Sequence, residues 1–231
     1  MIRYLKTLGL AMIAALALSA ALAGSAVADE TTEGPGQFTI TDGLYPTHLT
    51  GFDRHDGGVS NAFTGGFGVV CEEVNYTGQL GGASSTLDLA PNYLNCMAGE
   101  LPATITPEGC EYRLHVDDGT HTTEGPTHWS VDTELVCPTE NPVTIHVYGN
   151  AAHTFPVCTI EVPAQGGLAS NVQATDETEN GLLVRGAIAG IRNSAEGLCV
   201  EGGETQELPE ATLDVNIEVG ATGGTNPLHI G

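Results

Sequence analysis

Cationic side chains are almost absent from most of this chain. Residues 29–231 contain four Arg, no Lys and all 29 of the Asp and Glu, which gives this part a net charge of 4 − 29 = −25. A surface of this charge repels nucleic acid and anionic lipid, because both carry closely spaced phosphates. We therefore expect neither nucleic acid nor a membrane as a partner of residues 29–231.

The signatures of several enzyme classes are also missing. The sequence has no G-x-S-x-G, which surrounds the nucleophile of many serine hydrolases, and no G-x-x-x-x-G-K-[ST] phosphate loop. It has no C-x-x-C, which argues against zinc ribbons and thioredoxin-like redox chemistry. Aromatic residues make up 5% of the chain, too few for an extended surface that stacks sugars or bases.

The first 28 residues have the features of a secretory signal peptide. Arg3 and Lys6 precede the apolar run LGLAMIAALALSAALAG, and the small residues at 26–28 suit a signal peptidase. We predict cleavage before Asp29 and a protein that is secreted, either extracellular or in the cell envelope. An uncleaved membrane anchor is the alternative, but the many Ala residues and the A-x-A end favour cleavage.

Six cysteines follow the predicted signal peptide. They lie far apart in the sequence, at positions 71, 96, 110, 137, 158 and 199. An even number of dispersed cysteines in an exported chain predicts three disulfides, and six cysteines allow 15 pairings. The connectivity therefore needs a further argument.

Short alternating apolar and polar runs between Gly, Pro, Asn and Asp predict an all-β chain. The predicted strands are 37–40, 67–74, 85–90, 110–116, 130–137, 143–149, 157–162, 167–175, 181–191 and 211–219. We expect one domain over residues 37–219. Low-complexity sequence predicts flexible tails at 29–36, which is acidic, and at 220–231.

One hairpin register is specified from both faces of the sheet. If Cys110 lies opposite Cys137, the apolar residues of three cross-strand pairs and both cysteines share one face, and complementary charges share the other. The cross-strand pairs are then Tyr112–Leu135, Leu114–Thr133 and Val116–Val131 on the apolar face, and Arg113–Glu134 and His115–Asp132 on the other. A slip of one residue would destroy both patterns, so we predict a Cys110–Cys137 disulfide.

The next two strands repeat the alternation. Placing 143–149 and 157–162 beside this hairpin predicts a four-stranded meander whose apolar face needs a covering layer, and an antiparallel two-sheet sandwich is the simplest closure. In that meander Cys158 and Cys137 lie at opposite ends of the sheet. Cys158–Cys199 and Cys71–Cys96 follow by elimination.

The segment from about residue 60 to residue 200 resembles a group of uncharacterised secreted proteins of high-GC Gram-positive bacteria. In that group a Gly-Cys-x-Tyr strand, a Cys-Pro strand end and a Cys-to-Gln strand recur in this order. The matching positions are Gly109, Cys110, Tyr112, Cys137, Pro138, Cys158, Val162, Gln165 and Leu168. The resemblance implies a disulfide-bonded β protein that is exported, and it implies no activity.

A first candidate metal site lies in the stretch HVDDGTHTTEGPTHW, residues 115–129. His115, His121 and His128 are imidazole ligands suited to Zn²⁺ or Cu²⁺, with Asp117 or Asp118 as a further ligand. The spacings of six and seven residues are not those of ligand pairs on one helix or strand. A solvated hairpin loop that carries scattered histidines is the alternative.

A second candidate metal site is the turn DETENG. Asp176, Thr178 and Asn180 alternate as in the opening of a calcium loop, but Ala187 stands where a bidentate Glu is needed. A polar β-turn is the favoured explanation of the stretch, and weak calcium binding at 176–180 is the alternative. We expect no cofactor. If one of the two candidate sites does bind a metal ion, calcium or zinc is the ion we expect.

A hydrolase is the third hypothesis, since Asp53, His55 and Asp56 fall on one stretch, FDRHDGG. Paired carboxylates can cleave glycosidic bonds, but with 29 acidic residues a pair carries little information, and an Asp-Gly turn also accounts for the stretch. We assign no catalytic residue. The leading prediction is a non-enzymatic β-sandwich that serves as an extracellular or cell-surface binding or structural module with an unknown ligand or surface component as partner.

Overall fold

The computed structural model describes residues 31–41, 43–54, 62–65, 67–121, 128–138, 141–170, 172–178, 181–222 and 227–231. Within these ranges the chain is all-β and antiparallel, with no helix, as predicted. The strands are β1 (Thr31–Pro35), β2 (Phe38–Ile40), β3 (Thr47–Asp53), β4 (Ala62–Gly65), β5 (Phe67–Leu80), β6 (Thr86–Ala98), β7 (Leu101–Thr106), β8 (Glu111–His121), β9 (His128–Val136), β10 (Val143–Tyr148), β11 (Pro156–Val162), β12 (Ala169–Ser170), β13 (Val172–Thr178), β14 (Gly181–Ile191), β15 (Ser194–Gly197), β16 (Gln206–Glu207), β17 (Ala211–Ala221) and β18 (Leu228–Ile230).

Eight strands form a closed ring of hydrogen-bonded neighbours. Their order is β8, β9, β13, β14, β17, β3, β5 and β6, and the pairing of β6 with β8 closes the ring. Apolar side chains from five of these strands, together with Tyr76, Tyr112 and Thr133, surround a cavity of only about 10 Å³ inside the ring. The interior is therefore a packed core, in which alternate residues of each strand point inward.

Strand β6 is a fork at which the sheet divides. Residues 86–89 pair with β8 in the ring, whereas residues 96–98 pair with β7. From β7 the hydrogen-bonded order continues through β10, β11, β15 and β16, which we call the branch. The apolar face of the branch meets ring residues across a shared cavity. This packing is compatible with the predicted sandwich, although β6 joins the two layers.

The predicted hairpin register is confirmed at every pair. Tyr112 lies opposite Leu135, Arg113 opposite Glu134, Leu114 opposite Thr133, His115 opposite Asp132 and Val116 opposite Val131. The structure also contains the three predicted disulfides, Cys71–Cys96, Cys110–Cys137 and Cys158–Cys199. Stable disulfides are characteristic of proteins from oxidising compartments.

The four-stranded meander is not formed. Strands β10 and β11 do pair, but β10 takes β7 as its other neighbour, and β9 pairs with β13. The apolar alternation of β10 does not choose between the two edges, because Ala103 and Ile105 of β7 offer partners to Val147 and Ile145. The predicted strands do not include LPATIT, the sequence of β7. The prediction therefore lacks the strand that competes with β9 for the edge of β10.

The structure also differs from the prediction of flexible tails. Strand β18 pairs with β2 in a separate two-stranded sheet, and Phe38, Leu228 and Ile230 are buried. At the other terminus β1 pairs with β8. The alternation of Leu228, His229 and Ile230 is a strand pattern, and the glycine-rich residues before it had obscured that signal.

Candidate functional site

A concave groove of about 470 Å³ lies on the surface where β6 passes from the ring to the branch. We call it the outer groove. It is built from β6, β7 and the loop after β10, with one residue of β5. The lining residues are Glu72, Tyr93, Leu94, Asn95, Cys96, Met97, Pro102, Ala103, Thr104, Ile105 and His153. An apolar floor with a few polar groups at the rim is the usual composition of a small-molecule site.

Two rim residues of the outer groove adopt a left-handed backbone. Asn95 and His153 each have φ of 52°, a conformation that costs a non-glycine residue free energy. The Asn95 side-chain amide donates to Glu72 Oε2 at 3.0 Å, and this bond fixes the carboxylate at the rim. Residues held in unfavourable backbone conformations cluster at binding and active sites.

An aromatic stack forms the opposite side of the rim. The rings of Tyr148 and His153 are parallel, with centroids 4.7 Å apart. The Tyr148 hydroxyl shares a hydrogen bond of 3.2 Å with the hydroxyl of Thr104, a lining residue. These contacts hold the His153 imidazole beside the apolar floor, where it can contact a ligand.

Large apolar side chains are exposed at this groove. Leu94 is 37% exposed and Met97 is 40% exposed, and both line the outer groove. Leu101, next to the groove on β7, is also exposed. A contiguous exposed apolar patch on a protein surface is characteristic of an interaction site.

The floor of the outer groove contains one half of a tyrosine pair. The hydroxyls of Tyr93 and Tyr112 are 2.7 Å apart and share a hydrogen bond. Burial raises the pKa of Tyr93 well above its ordinary value of 10.0, and burial also raises the pKa of Tyr112, although its bond to Tyr93 opposes that shift. Both phenols are therefore protonated at neutral pH, and one of them donates its hydroxyl hydrogen to the other.

The backbones of the three histidines proposed as zinc or copper ligands lie at different positions along β8 and β9. His115 contacts Glu134, with Nε2 and Oε2 3.3 Å apart. His128 lies opposite Thr120, so about 13 Å of strand separates its position from that of His115. The backbone of His121 pairs with Thr31, one residue beyond Thr120.

In the parts of the chain that the structure describes, no group of three or more His, Cys, Asp or Glu side chains is arranged to hold a metal ion. That search does not cover the hairpin tip at 122–127. A zinc or copper site in this region therefore stays a prediction.

Asp176, the first candidate calcium ligand, contacts the C-terminal strand. Its Oδ1 accepts a hydrogen bond of 3.4 Å from the backbone N–H of Ile230. Partial burial raises the pKa of Asp176, whereas the bond from Ile230 and the charge of His229 oppose the shift. Asn180 lies outside the described residues.

The residues of the hydrolase hypothesis are only partly described. Asp53 is buried at the end of β3, opposite Ile217 of β17. His55 and Asp56 lie outside the described residues. For the stretch FDRHDGG, an Asp-Gly turn and a hydrolase site therefore both stay predictions.

Sequence reasoning missed the outer groove. Its signal was the stretch NYLNCMAGELP, in which apolar residues continue past the predicted end of a strand at residue 90. Pro91 and the two Asn residues are typical of a loop, whereas β6 runs on to Ala98. Exposed apolar side chains such as Leu94 and Met97 are expected on a strand that lines a binding groove.

No family model, curated protein sequence or solved structure matches this chain. In the described residues no helix is long and apolar enough to cross a membrane. The site is therefore interpreted from its own geometry.

Proposed function

We propose that this chain is an exported, non-enzymatic binding module that holds a small organic ligand in the outer groove. The observation that carries the proposal is a concave surface of about 470 Å³ that is lined by apolar side chains and a few polar groups. Ligand sites of proteins commonly have volumes of about 300–1,000 Å³ and this distribution of polar groups. The ligand would be an extracellular small molecule.

Export is supported by the signal-like residues 1–28 and by the three disulfides, which persist in oxidising surroundings. Membership of the group of secreted proteins from high-GC Gram-positive bacteria belongs to the same proposal. The net charge of −25 on residues 29–231 keeps such a module soluble and away from anionic surfaces.

The rim chemistry supports binding with a defined orientation. Glu72 and Asn95 form one polar side, and the His153 ring, stacked on Tyr148, forms another. Both sides are held by hydrogen bonding or stacking before a ligand arrives, which lowers the entropy cost of binding.

The test is a screen of small organic molecules against the secreted protein by ligand-observed NMR. We expect members with an apolar body and one polar group to bind. Leu94→Trp places an indole in the outer groove and should weaken binding at least about tenfold, which corresponds to about 1.4 kcal/mol.

Leu198→Trp is the matched control, because Leu198 is 82% exposed and does not line the outer groove. It should leave every affinity unchanged. Binding that is equal in the two variants would place the site elsewhere, and a panel without binders would overturn the proposal.

A further inference from the structure

A second, smaller cavity of about 40 Å³ lies next to the outer groove, between the ring and the branch. We call it the inner cavity. Its lining is almost entirely apolar and comes from both layers: Phe63, Tyr93, Ile105, Tyr112, Leu135, Val143, Ile145, Val162, Gln165, Leu168, Ile188, Ile191 and Leu213. Since roughly 10–15 Å³ of such space holds one water molecule, the cavity could accommodate about three.

The few polar groups of the inner cavity are already bonded to the protein. The side-chain amide of Gln165 donates to the carbonyls of Pro163 and Arg192, both at 3.1 Å, and its oxygen accepts from the N–H of Arg192 at 2.8 Å. The hydroxyls of Tyr93 and Tyr112 bond to each other. The cavity therefore presents an apolar surface, and apolar cavities stay dry and accept apolar guests.

Among the residues that the structure describes, two side chains belong to both spaces. Tyr93 and Ile105 line the outer groove and the inner cavity, so they form the wall between them. Tyr93 lies in the part of β6 between residues 86–89, which pair with β8, and residues 96–98, which pair with β7. Neither β8 nor β7 pairs with β6 at Tyr93, whose backbone lies opposite Val74 of β5, and rotating the Tyr93 ring away from Tyr112 breaks one neutral hydrogen bond.

The charge at the mouth is negative. Glu72 is the carboxylate among the lining residues, and no Arg or Lys is found among the described residues that line the outer groove. Residues 29–231 as a whole carry a net charge of −25. A cationic group at the rim is therefore attracted, and an anionic group is repelled.

We propose that the outer groove and the inner cavity are two parts of one site for a cationic amphiphile, with the ammonium group at Glu72 and the alkyl chain passing Tyr93 into the inner cavity. This inference rests on the proposed binding function and specifies its ligand class. The outer groove receives the head and the first carbons of the chain. The end of the alkyl chain fills the empty apolar space of the inner cavity.

The experiment is a calorimetric titration of the secreted protein with n-alkylammonium ions of four to ten carbons at pH 7. Carboxylates and alcohols of the same lengths are titrated in parallel. Affinity should rise about fourfold for each methylene that becomes buried, the factor that corresponds to about 0.8 kcal/mol per CH₂, and then level off when the inner cavity is full. At equal length the ammonium ion should bind at least tenfold more tightly than the carboxylate.

Two variant pairs locate the two ends of the ligand. Glu72→Gln should remove most of the preference for the ammonium ion, whereas Glu73→Gln makes the same change at a neighbour that does not line the outer groove and should leave it intact. Val143→Phe fills part of the inner cavity and should end the rise at a shorter chain. Thermal unfolding of each variant verifies that it is folded, and Val143→Leu is a smaller filling if the Phe variant is not.

The outcomes separate the two proposals. Affinity that is independent of chain length, or equal for ammonium and carboxylate, overturns the amphiphile inference, while binding blocked by Leu94→Trp in the fragment screen would still support the outer groove. No binding of any alkyl compound also overturns the inference. If neither the alkyl series nor the fragment panel binds, the proposed function falls with it.

Discussion

The two ends of strand β9 lie in contrasting surroundings. At its start Trp129 is 2% exposed and is covered by Gly36 and Ile230. At its other end Leu135 lines the inner cavity, next to the fork in β6 and the outer groove. About 20 Å of strand separates the two residues. We call the first the terminal end and the second the groove end.

The packing of the terminal end leaves no space. A Cβ atom on Gly36 would lie 2.7 Å from Cζ3 of Trp129 and 2.6 Å from Cγ2 of Ile230, so only glycine fits there. The groove end combines the reverse features, which are an apolar cavity, exposed Leu94 and Met97, and a left-handed Asn95. The terminal end therefore stabilises the fold, whereas the groove end is where we propose that a ligand binds.

The largest effect should follow from Trp129→Ala at the terminal end. Removing a buried indole should lower the free energy of unfolding by about 3–5 kcal/mol, because the apolar contact is lost and a cavity remains. Urea unfolding followed by far-UV circular dichroism measures this loss. A loss below about 1 kcal/mol would contradict the close packing described for this end.

The disulfide of the groove end should contribute somewhat less. Cys71 and Cys96 are 25 residues apart, and Cys96 lines the outer groove. Replacing both with Ala should cost about 2–4 kcal/mol, since the unfolded chain gains the freedom of an open loop. The same urea titration measures it, and ligand binding should weaken as well because the groove wall loses its cross-link. Unchanged binding would show that the disulfide does not support the binding site.

A smaller effect is expected at the pairing that closes the ring. Arg113 of β8 donates to both carboxylate oxygens of Asp88 on β6, at 2.7 and 2.9 Å, and both side chains are partly exposed. Asp88→Asn should lower the free energy of unfolding by about 0.2–1 kcal/mol. The loss should shrink in 1 M salt, which screens exposed charges. A loss that salt does not alter would point to a steric cause.

The smallest effect should come from Asp176, and it should depend on pH. Because its pKa in the folded protein is raised above the ordinary 3.8, its contribution to stability is present below that value and is lost as pH rises through the raised pKa. Asp176→Asn does not titrate and can still accept the bond from Ile230. Relative to the unaltered protein, it should therefore be more stable at pH 7 than at pH 3.5. A constant difference between the two pH values would contradict the raised pKa.

The sequence was sufficient to predict the hairpin of β8 and β9. Two independent patterns, apolar on one face and charged on the other, agreed on a single register, and Cys110 and Cys137 fitted it. Such agreement leaves only one pairing. The other two predicted disulfides are also present, although the four-stranded meander used to predict them does not form.

The groove end could not be predicted in the same way. Its central feature is a strand that changes partner, with β8 beside residues 86–89 and β7 beside residues 96–98. Partner choice between distant strands is set by tertiary packing, and the period-two alternation of a strand is the same whichever neighbour it has. The outer groove and the inner cavity arise from that choice, so the apolar pattern of NYLNCMAGELP can indicate a longer strand but not the groove.

We expect the groove end to bind ligand and the terminal end not to bind it. Met97 is the single methionine after residue 28, and Trp129 is the single tryptophan, so each end has a unique NMR reporter. The measurement is a titration of protein labelled at the methionine methyl and the indole nitrogen with octylammonium. We expect the Met97 signal to shift to saturation while the Trp129 signal stays unchanged. A saturating shift of Trp129 with no shift of Met97 would contradict the claim.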